Sequence, residues 1–371
     1  MERILIVGAG YAGAVFGRLA AESGISVQII DKNDHIGGHS YSYKDEETGV
    51  EIHKYGPHIF HTVYEDVYEF VSRFTKFNNY VNRVKAIHKN SVYSLPINLH
   101  TINQFFDKAF SPTEAEQFIK SKQVRFDQIT NFKETVLSSI GEELYKAFFE
   151  EYTRKQWGVE PEEIVVSTAK RLPVRYNYND NYFNDKYQGI PVNGYGSLFE
   201  NMLDHKNITT TLNTNFGDLK NNWQKDYNYL VYTGAVDDYF EYQFGTLPYR
   251  SLKFERIVSE EIQGNAVINY PDANVPFTRI HEHKYFTPEK EFHKSVGFKE
   301  NSFQTDNTSR PFYPIENESS LKLYSKYKKM AEKEPNILFI GRLAQFKYFN
   351  MDQTTKSAID AFQKFKSRIG K

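Results

Sequence analysis

Gly8, Gly10 and Gly13 stand in a Gly-x-Gly-x-x-Gly spacing. Before them runs the apolar stretch Arg3-Ile4-Leu5-Ile6-Val7, and after them Ala14, Val15, Leu19 and Ala20 fall on one helical side. A short glycine motif gains meaning from that context. Gly8 permits a tight turn, Gly10 lets the backbone approach a pyrophosphate, and Gly13 lets helix and strand pack closely. The N-terminus of such a helix offers free N–H groups and a positive dipole end to phosphate. A second apolar run, Val27-Gln28-Ile29-Ile30, ends in Asp31, 18 residues past Gly13. A carboxylate there accepts hydrogen bonds from ribose hydroxyls and disfavours a 2′-phosphate. The unit reads as a strand–turn–helix–strand dinucleotide site.

The residues that follow separate FAD from NAD. Lys32 comes next, then the pair Gly37-Gly38 and His39. A simple NAD domain has no need of a glycine pair there, whereas large flavoproteins place one where the loop passes the pyrophosphate and ribityl chain. Near the end, Ile337-Leu338-Phe339-Ile340 followed by Gly341-Arg342 repeats the strand–glycine grammar. Glycine at 341 admits the ribityl phosphate, and Arg342 is placed to contact a flavin. FAD is the cofactor these features predict.

The elements that must position this chemistry are spread over 371 residues, enough for two or three domains at ~100–200 residues each. Apolar residues are 40% and charged residues 25%, the balance of an ordinary folded chain. A formal net charge of -1 excludes a strongly basic nucleic-acid binder. With no cysteine, disulfides, thiol nucleophiles and thiolate metal sites are excluded, and no histidine–acid motif points to a metal. No apolar run approaches the ~18–20 residues of a membrane helix, and Glu2-Arg3 leads into a strand rather than a signal peptide. A cytoplasmic protein without membrane insertion is expected. The 16% of aromatic residues decides nothing alone.

Helical spacing is read over Val63–Phe77 and, with an N-cap and Pro at Ser111-Pro112-Thr113-Glu114, over Ile102–Phe149. From Val165 to Phe312 the chain is strand-like, Leu230-Val231-Tyr232-Thr233-Gly234 being a buried strand returning to the first domain. Thr354 to Ile369 is a closing helix with Ala358, Phe362, Phe365 and Ile369 on one side. The expected fold class is α/β: a Rossmann-like FAD-binding domain with an inserted helical bundle and an antiparallel β-sheet domain. The FAD domain is discontinuous (1–75, 195–240 and 320–371), the helical domain spans 96–165, and the sheet domain takes 76–95, 166–194 and 241–319.

Eight further stretches carry a resemblance over essentially the whole chain. They are Ile52-His53-Lys54-Tyr55-Gly56-Pro57-His58-Ile59-Phe60-His61-Thr62, Tyr152-Thr153-Arg154-Lys155-Gln156-Trp157-Gly158, Lys170-Arg171-Leu172-Pro173-Val174-Arg175, Asn181-Tyr182-Phe183, Tyr187-Gln188-Gly189-Ile190-Pro191, Tyr249-Arg250-Ser251-Leu252-Lys253-Phe254, Asn274-Val275-Pro276-Phe277-Thr278-Arg279 and Gly341-Arg342-Leu343-Ala344. In this order they resemble bacterial UDP-galactopyranose mutase. The resemblance implies a flavoenzyme without net redox turnover that interconverts the six- and five-membered ring forms of a nucleotide-activated galactose. Reduced FAD attacks the anomeric carbon through N5 and expels UDP, and the resulting flavin–sugar adduct opens to an iminium before the 4-hydroxyl closes the new ring.

The resemblance also implies residue roles. Arg171 and Arg279 match the pyrophosphate arginines, a chemistry that suits the planar guanidinium fork. Tyr182, Tyr313 and Tyr348 match tyrosines that bond the phosphates. Phe148, Tyr152, Thr153 and Trp157 resemble the uridine site, Tyr152 stacking on the base, and the four-residue spacing of 148 and 152 predicts a shared helical face. Gln156 and Asn269 are placed to read the uracil edge, and Asn82 lies near the sugar. Tyr55, Gly56, His58 and His61 belong to the flavin-facing loop, with His58 packing near the isoalloxazine and stabilising its anionic reduced form. Asn350 and Met351 belong to the closing flavin loop.

Three positions depart from the family pattern. Asn350 stands where an acid is usual, Pro57 replaces a small residue, and Arg83 follows Asn82 where a small neutral residue is expected. Related mutases act on N-acetylated or deoxy sugars, including thymidine-linked fucose, so the sugar is left open. A redox flavoenzyme of the amine-oxidase or desaturase type and a non-catalytic nucleotide-sugar binder are the competing classes. The aromatic cage and paired arginines argue against the first, because a hydrophobic amine needs no pyrophosphate clamp. The resemblance further implies a homodimer supplying furanose donors for surface polysaccharide. No second dinucleotide fingerprint is present, though the family accepts NADPH, or another external reductant, in the substrate region.

Overall fold

Ile4, Leu5 and Ile6 are fully buried, which is what a strand covered by helices on both faces requires. In the computed structural model, which describes residues 2–169, 173–306 and 308–370, that strand (Arg3–Val7) is the centre of a five-stranded parallel sheet. Its neighbours are Ser26–Ile30 on one side and Tyr229–Tyr232 on the other, with Ile208–Thr211 and Ile337–Phe339 at the edges. Segments far apart in sequence thus build one sheet. The Leu230–Tyr232 run and the closing strand lie where the sequence predicts.

The helix Tyr11–Glu22 packs chiefly against the final helix, Met351–Arg368, whose Ala358, Phe362 and Phe365 are buried. Ile369, the C-cap of that helix, is partly buried and packs against the same core. A second sheet has seven strands in the order Tyr313–Pro314, Tyr249–Ser259, Ser295–Gln304, Arg279–Glu282, Val267–Asn269, Val84–His88, Ser91–Leu95. All its pairings are antiparallel except Val267–Asn269 with Val84–His88. A two-stranded piece, Phe60–Thr62 with Tyr187–Gly189, lies outside both sheets.

Helices Leu99–Phe106, Pro112–Lys122 and Phe132–Tyr145 form the inserted bundle, and Ser111 closes a full capping box with Glu114. Two local expectations differ from the structure. The stretch read as helical from Val63 is helix only over Glu65–Ser72. Within the strand-like region, Gly194–Leu203 is a helix, because Tyr195, Leu198, Phe199, Met202 and Leu203 form a buried stripe against Tyr11–Glu22.

The glycine turn is tight for two separate reasons. Gly8 has φ +105°, and a Cβ on Gly13 would sit 1.9 Å from the Gly8 carbonyl oxygen. Gly10, by contrast, has φ -84°, and the nearest atom to its Cβ position is the Gly38 Cα at 3.6 Å. Gly13→Ala should therefore destabilise the fold by about 1–3 kcal/mol through overpacking. Gly10→Ala should stay within ~0.5 kcal/mol of the parent in the cofactor-free protein. Urea unfolding of the two stripped variants checks this, and equal midpoints would contradict the packing argument.

Candidate active site

At the C-terminal edge of the parallel sheet, Asp31 is 6% exposed and held from several sides. Its Oδ2 accepts from the Ala9 N–H at 2.8 Å, and its Oδ1 accepts from Asn33 backbone and side-chain nitrogens at 2.9 and 2.6 Å. Gly37 N–H donates to the Ala9 carbonyl at 2.9 Å. This brings Gly38 onto Gly10, where a Cβ on Gly38 would lie 3.1 Å from the Gly10 Cα. The helix Tyr11–Glu22 begins without a side-chain cap and without an acid in its first turn. Its N–H groups and dipole are left for an anion. The cradle therefore fits a dinucleotide pyrophosphate. Gly341 (φ +93°) comes within 2.9 Å of Ala12 at its Cβ position, on the same turn. His39 stacks on Phe312 at 4.5 Å, Tyr55 lies under the Arg310 guanidinium at 4.4 Å, and Lys32 is exposed.

The second half of the site is a cluster of arginine, tyrosine and tryptophan. Arg279 opens its strand directly opposite Glu300. Its Nε and Nη2 both donate to Glu300 Oε2 at 2.8 Å. Burial opposes the charge on Arg279, but Glu300, Tyr152 and Tyr313 around it hold the guanidinium well above its usual range. Trp157 meets the Tyr348 ring edge-on at 5.6 Å and lies 6.3 Å from Tyr313, and Tyr313 and Tyr348 are 5.4 Å apart. Arg342 lies over both tyrosines at 5.4 and 5.6 Å, its Nε donating to the Phe349 carbonyl at 2.9 Å. Tyr182 joins through its backbone bond to the Asn82 carbonyl at 2.7 Å and its electrostatic contact with Tyr152. Arg171 falls outside the described residues.

The segment carrying the expected base-binding side chains is not one continuous α-helix. Lys146–Glu150 is a π-turn, and α-helix resumes at Glu151–Trp157. Phe148 packs with Tyr93, Phe105 and His88 at 5.1, 5.7 and 5.7 Å, whereas Tyr152 faces Arg279. Thr153 is buried. Gln156 Oε1 is buried with no hydrogen-bond partner among the described residues. Asn269 pairs with Arg279 across its strand. Asn82 is buried and accepts from the Tyr80 hydroxyl at 3.1 Å.

His58 Nδ1 bonds the Gly56 carbonyl at 2.8 Å, so that nitrogen carries the proton and Nε2 is an acceptor. Burial, with Arg342 and Arg279 adding to it and the Gly56 bond opposing, pushes its pKa down to about 4. A neutral His58 offers a packing face and a lone pair, with Arg342 and Arg279 as the neighbouring cations. His61 lies to one side, stacked on Phe183 at 3.6 Å and bonded to Asp185. Asn350 is the N-cap of the final helix, a place where Asn serves as well as Asp, and its N–H donates to Gln353 Oε1 at 3.0 Å. Met351 is the first residue of that helix.

Several site residues were not read from the sequence. Glu300 is one. Another is a chain of buried imidazoles beneath the His58 loop. The His58 N–H donates to His53 Nδ1 at 3.0 Å, and the His53 N–H donates to His283 Nδ1 at 3.0 Å. His283 Nε2 therefore carries its proton and donates to His281 Nδ1 at 2.8 Å, leaving His281 Nε2–H facing Glu300 at 3.9 Å. The run His281-Glu282-His283 carried no strand-face signal: all three are buried, and His283 lies past the end of the strand. A third is Lys155, whose amino group burial pushes down to about 8 while Asp272 and Glu151 oppose. A groove of 820 Å³ between the final helix and residues 338–340 is a separate feature, which shares only Tyr348 with the cluster.

A dinucleotide cradle at the edge of a parallel sheet, facing a cation–aromatic cluster on a second sheet, defines a Rossmann-like cofactor-dependent enzyme. A model of an NAD(P)-binding Rossmann-like domain matches residues 6–74, and one described as UDP-galactopyranose mutase matches residues 147–348. The dTDP-fucopyranose mutase of Escherichia coli is 47% identical over 372 residues, covering 98% of both chains. A probable UDP-galactopyranose mutase of Klebsiella pneumoniae is 46% identical over 370 residues, covering 99% of this chain and 96% of that one. The crystal structure of a reduced UDP-galactopyranose mutase shares the fold with a TM-score of 0.75 at 18% identity, covering 99% of this chain and 94% of the other. The chain belongs to the UDP-galactopyranose mutase family and is a flavin-dependent isomerase. Among the described residues no helix is long and apolar enough to cross a membrane.

The buried histidines generate a pH dependence. Burial holds His39, His53 and His281 well below the ordinary value, with His58 near 4 and His283 near 3. In the unfolded chain each titrates at about 6.5. As pH falls below that value the unfolded state takes up protons that the fold refuses, so stability is full above about 6.5 and is lost as pH falls toward 4. Urea midpoints should be flat from about pH 8 to 7 and fall steeply between about 6 and 4.5. A flat profile through that window would rule out neutral buried imidazoles.

Proposed function

We propose that this enzyme interconverts UDP-galactopyranose and UDP-galactofuranose with FAD as its flavin. The observation that carries the reading is the convergence of Arg279, Arg342, Tyr152, Tyr313, Tyr348 and Trp157 beside the His58 loop. A departing nucleoside diphosphate develops negative charge, and fixed cations lower that barrier most when they need no rearrangement. Glu300 holds two nitrogens of the Arg279 guanidinium and leaves Nη1 for a phosphate oxygen. The Tyr313 and Tyr348 hydroxyls add neutral donors, and Tyr152 and Trp157 offer ring faces to base and ribose. The unpartnered Gln156 Oε1 is an acceptor matching the N3–H of a pyrimidine-dione. When bound in its reduced form, FAD supplies the nucleophile for the anomeric carbon. Glycines 8, 10, 13, 38 and 341, with Asp31, would hold its dinucleotide part.

A second substrate is favoured by a specific observation: the relative at 47% identity is a dTDP-fucopyranose mutase, one point from the 46% of the UDP-galactopyranose mutase. N3–H is common to uracil and thymine, so Gln156 does not choose between the bases. UDP-N-acetylgalactosamine is the remaining alternative sugar donor. The reading also includes a cytoplasmic homodimer, an external reductant such as NADPH, and the three-domain division given above. Resemblance supports the first two, and strand membership in the two sheets supports the third.

Dithionite-reduced and oxidised enzyme should be incubated separately with UDP-galactofuranose, with thymidine-linked fucofuranose and with the furanose form of UDP-N-acetylgalactosamine. Pyranose product from the reduced enzyme alone is expected, and the faster substrate names the enzyme's sugar. Turnover by the oxidised form, or none on any of the three sugars with FAD bound, defeats the reading. Arg279→Ala should lower kcat/KM by roughly 10²–10³-fold, and a change below threefold would remove Arg279 from the diphosphate site.

A further inference from the structure

Lys155 lies on the Glu151–Trp157 helix between the side chains assigned to the base, yet its amino group points away from them. It enters the turn formed by residues 270–277 and donates to four backbone carbonyls: Tyr270 at 2.5 Å, Asp272 at 3.0 Å, Val275 at 2.9 Å and Phe277 at 3.1 Å. The turn contains Pro271 and Pro276, which have no N–H, so its carbonyls are in excess of its own donors. A –NH3+ group has three donors and no acceptor, so with one N–H shared between two oxygens it complements the four carbonyls. Carbonyl oxygens converging on one point are also how proteins replace the hydration shell of potassium.

The position of the turn gives the contact its consequence. It joins Asn269 at the end of one strand to Arg279 at the start of the next, and these two residues are paired in register. The other end of the helix's carbonyl ladder is fixed to the same sheet. Arg250 Nε and Ser302 Oγ donate to the Gln156 carbonyl at 3.1 and 2.6 Å, and Arg250 also reaches the Lys155 carbonyl at 3.3 Å. Arg250 thus sets the helix C-terminus against the sheet, and Lys155 sets the sheet's turn against the helix.

We propose that Lys155 is a positioning residue whose ammonium acts as a tethered monovalent cation, holding residues 270–277 against the Glu151–Trp157 helix and fixing the distance between the base-binding side chains and Arg279. The inference rests on reading that helix as the nucleotide-base site. It has a corollary: removing the side chain leaves a four-carbonyl ring that a free ammonium or potassium ion can occupy.

The test is calorimetric binding of UDP and of TDP to flavin-loaded wild type, Lys155→Ala and Lys155→Met. Ionic strength is kept constant with choline, ammonium or potassium chloride in turn. Wild type should bind equally in all three salts. Lys155→Ala should bind roughly tenfold or more weakly in choline and recover most of the loss in ammonium or potassium. Lys155→Met, whose side chain plugs the ring, should stay weak throughout. In turnover the loss should fall on KM more than on kcat, with flavin content unchanged. Should Lys155→Ala fail to fold, Lys155→Gln, with two amide donors, takes its place, and an intermediate affinity is expected. Lys155→Ala or Lys155→Gln binding like wild type in choline overturns the proposal, and so does a loss in folded Lys155→Ala that neither cation repairs. Wild type that binds neither nucleotide would instead defeat the functional reading, and this role with it.

Discussion

A carboxylate wholly out of water has to be met by a cation at hydrogen-bonding distance, and Glu300 meets that demand with Arg279 on the adjoining strand. The pair is asymmetric. Glu300 is 0% exposed while the Arg279 side chain keeps 22% of its surface, so one partner is structural and the other looks outward. The neighbouring parts conform to it. Gly56 rests where a Cβ would come 3.4 Å from Glu300 Oε2, and His281 turns its Nε2–H toward the same oxygen. Through His283 and His53 that contact reaches the backbone of the His58 loop. The Arg279 side and the His58 loop thus lean on one buried charge.

Each wall of the site is held by backbone groups of the other. The carbonyl end of the Glu151–Trp157 helix would be left without donors, and Arg250 and Ser302 from the seven-stranded sheet supply them. A Cβ on Gly158 would lie 2.3 Å from the Arg250 Nη1, so the helix terminus has room for the guanidinium only as glycine. Such reciprocal bonding keeps aromatic and cationic side chains from different segments at fixed separations, the condition for electrostatic preorganisation.

The sequence made legible what depends on period and on turn chemistry. The Arg3–Asp31 unit and the Ile337–Arg342 return were readable because buried parallel strands are short apolar runs ended by glycine. The Gly194–Leu203 helix was not, since Gly194 and Gly196 interrupt its pattern and its stability comes from packing on Tyr11–Glu22 and on residues 42–44. The Lys146–Glu150 π-turn leaves no compositional mark in the sequence. Arg279, Tyr313 and Tyr348 were singled out through resemblance, and the structure brings them close together. Glu300 was missed because an acid in a strand ordinarily faces water, and its burial follows from a cross-strand partner that pairing alone reveals. Lys155 was missed for a similar reason: its partners are carbonyls, which carry no residue identity.

The five-stranded parallel sheet is assembled from residues 3–7, 26–30, 208–211, 229–232 and 337–339. A ribosome delivers these strands in order, and the last arrives long after the other four. Until then the Tyr11–Glu22 helix lacks the Met351–Arg368 surface it packs on, and the apolar strand Tyr229–Tyr232 has an uncovered edge. Such long-range closure is slow and leaves unpaired edges exposed during synthesis. The nascent chain therefore carries its glycine-rich turn long before the strand and helix that complete the sheet and cover that turn have been made.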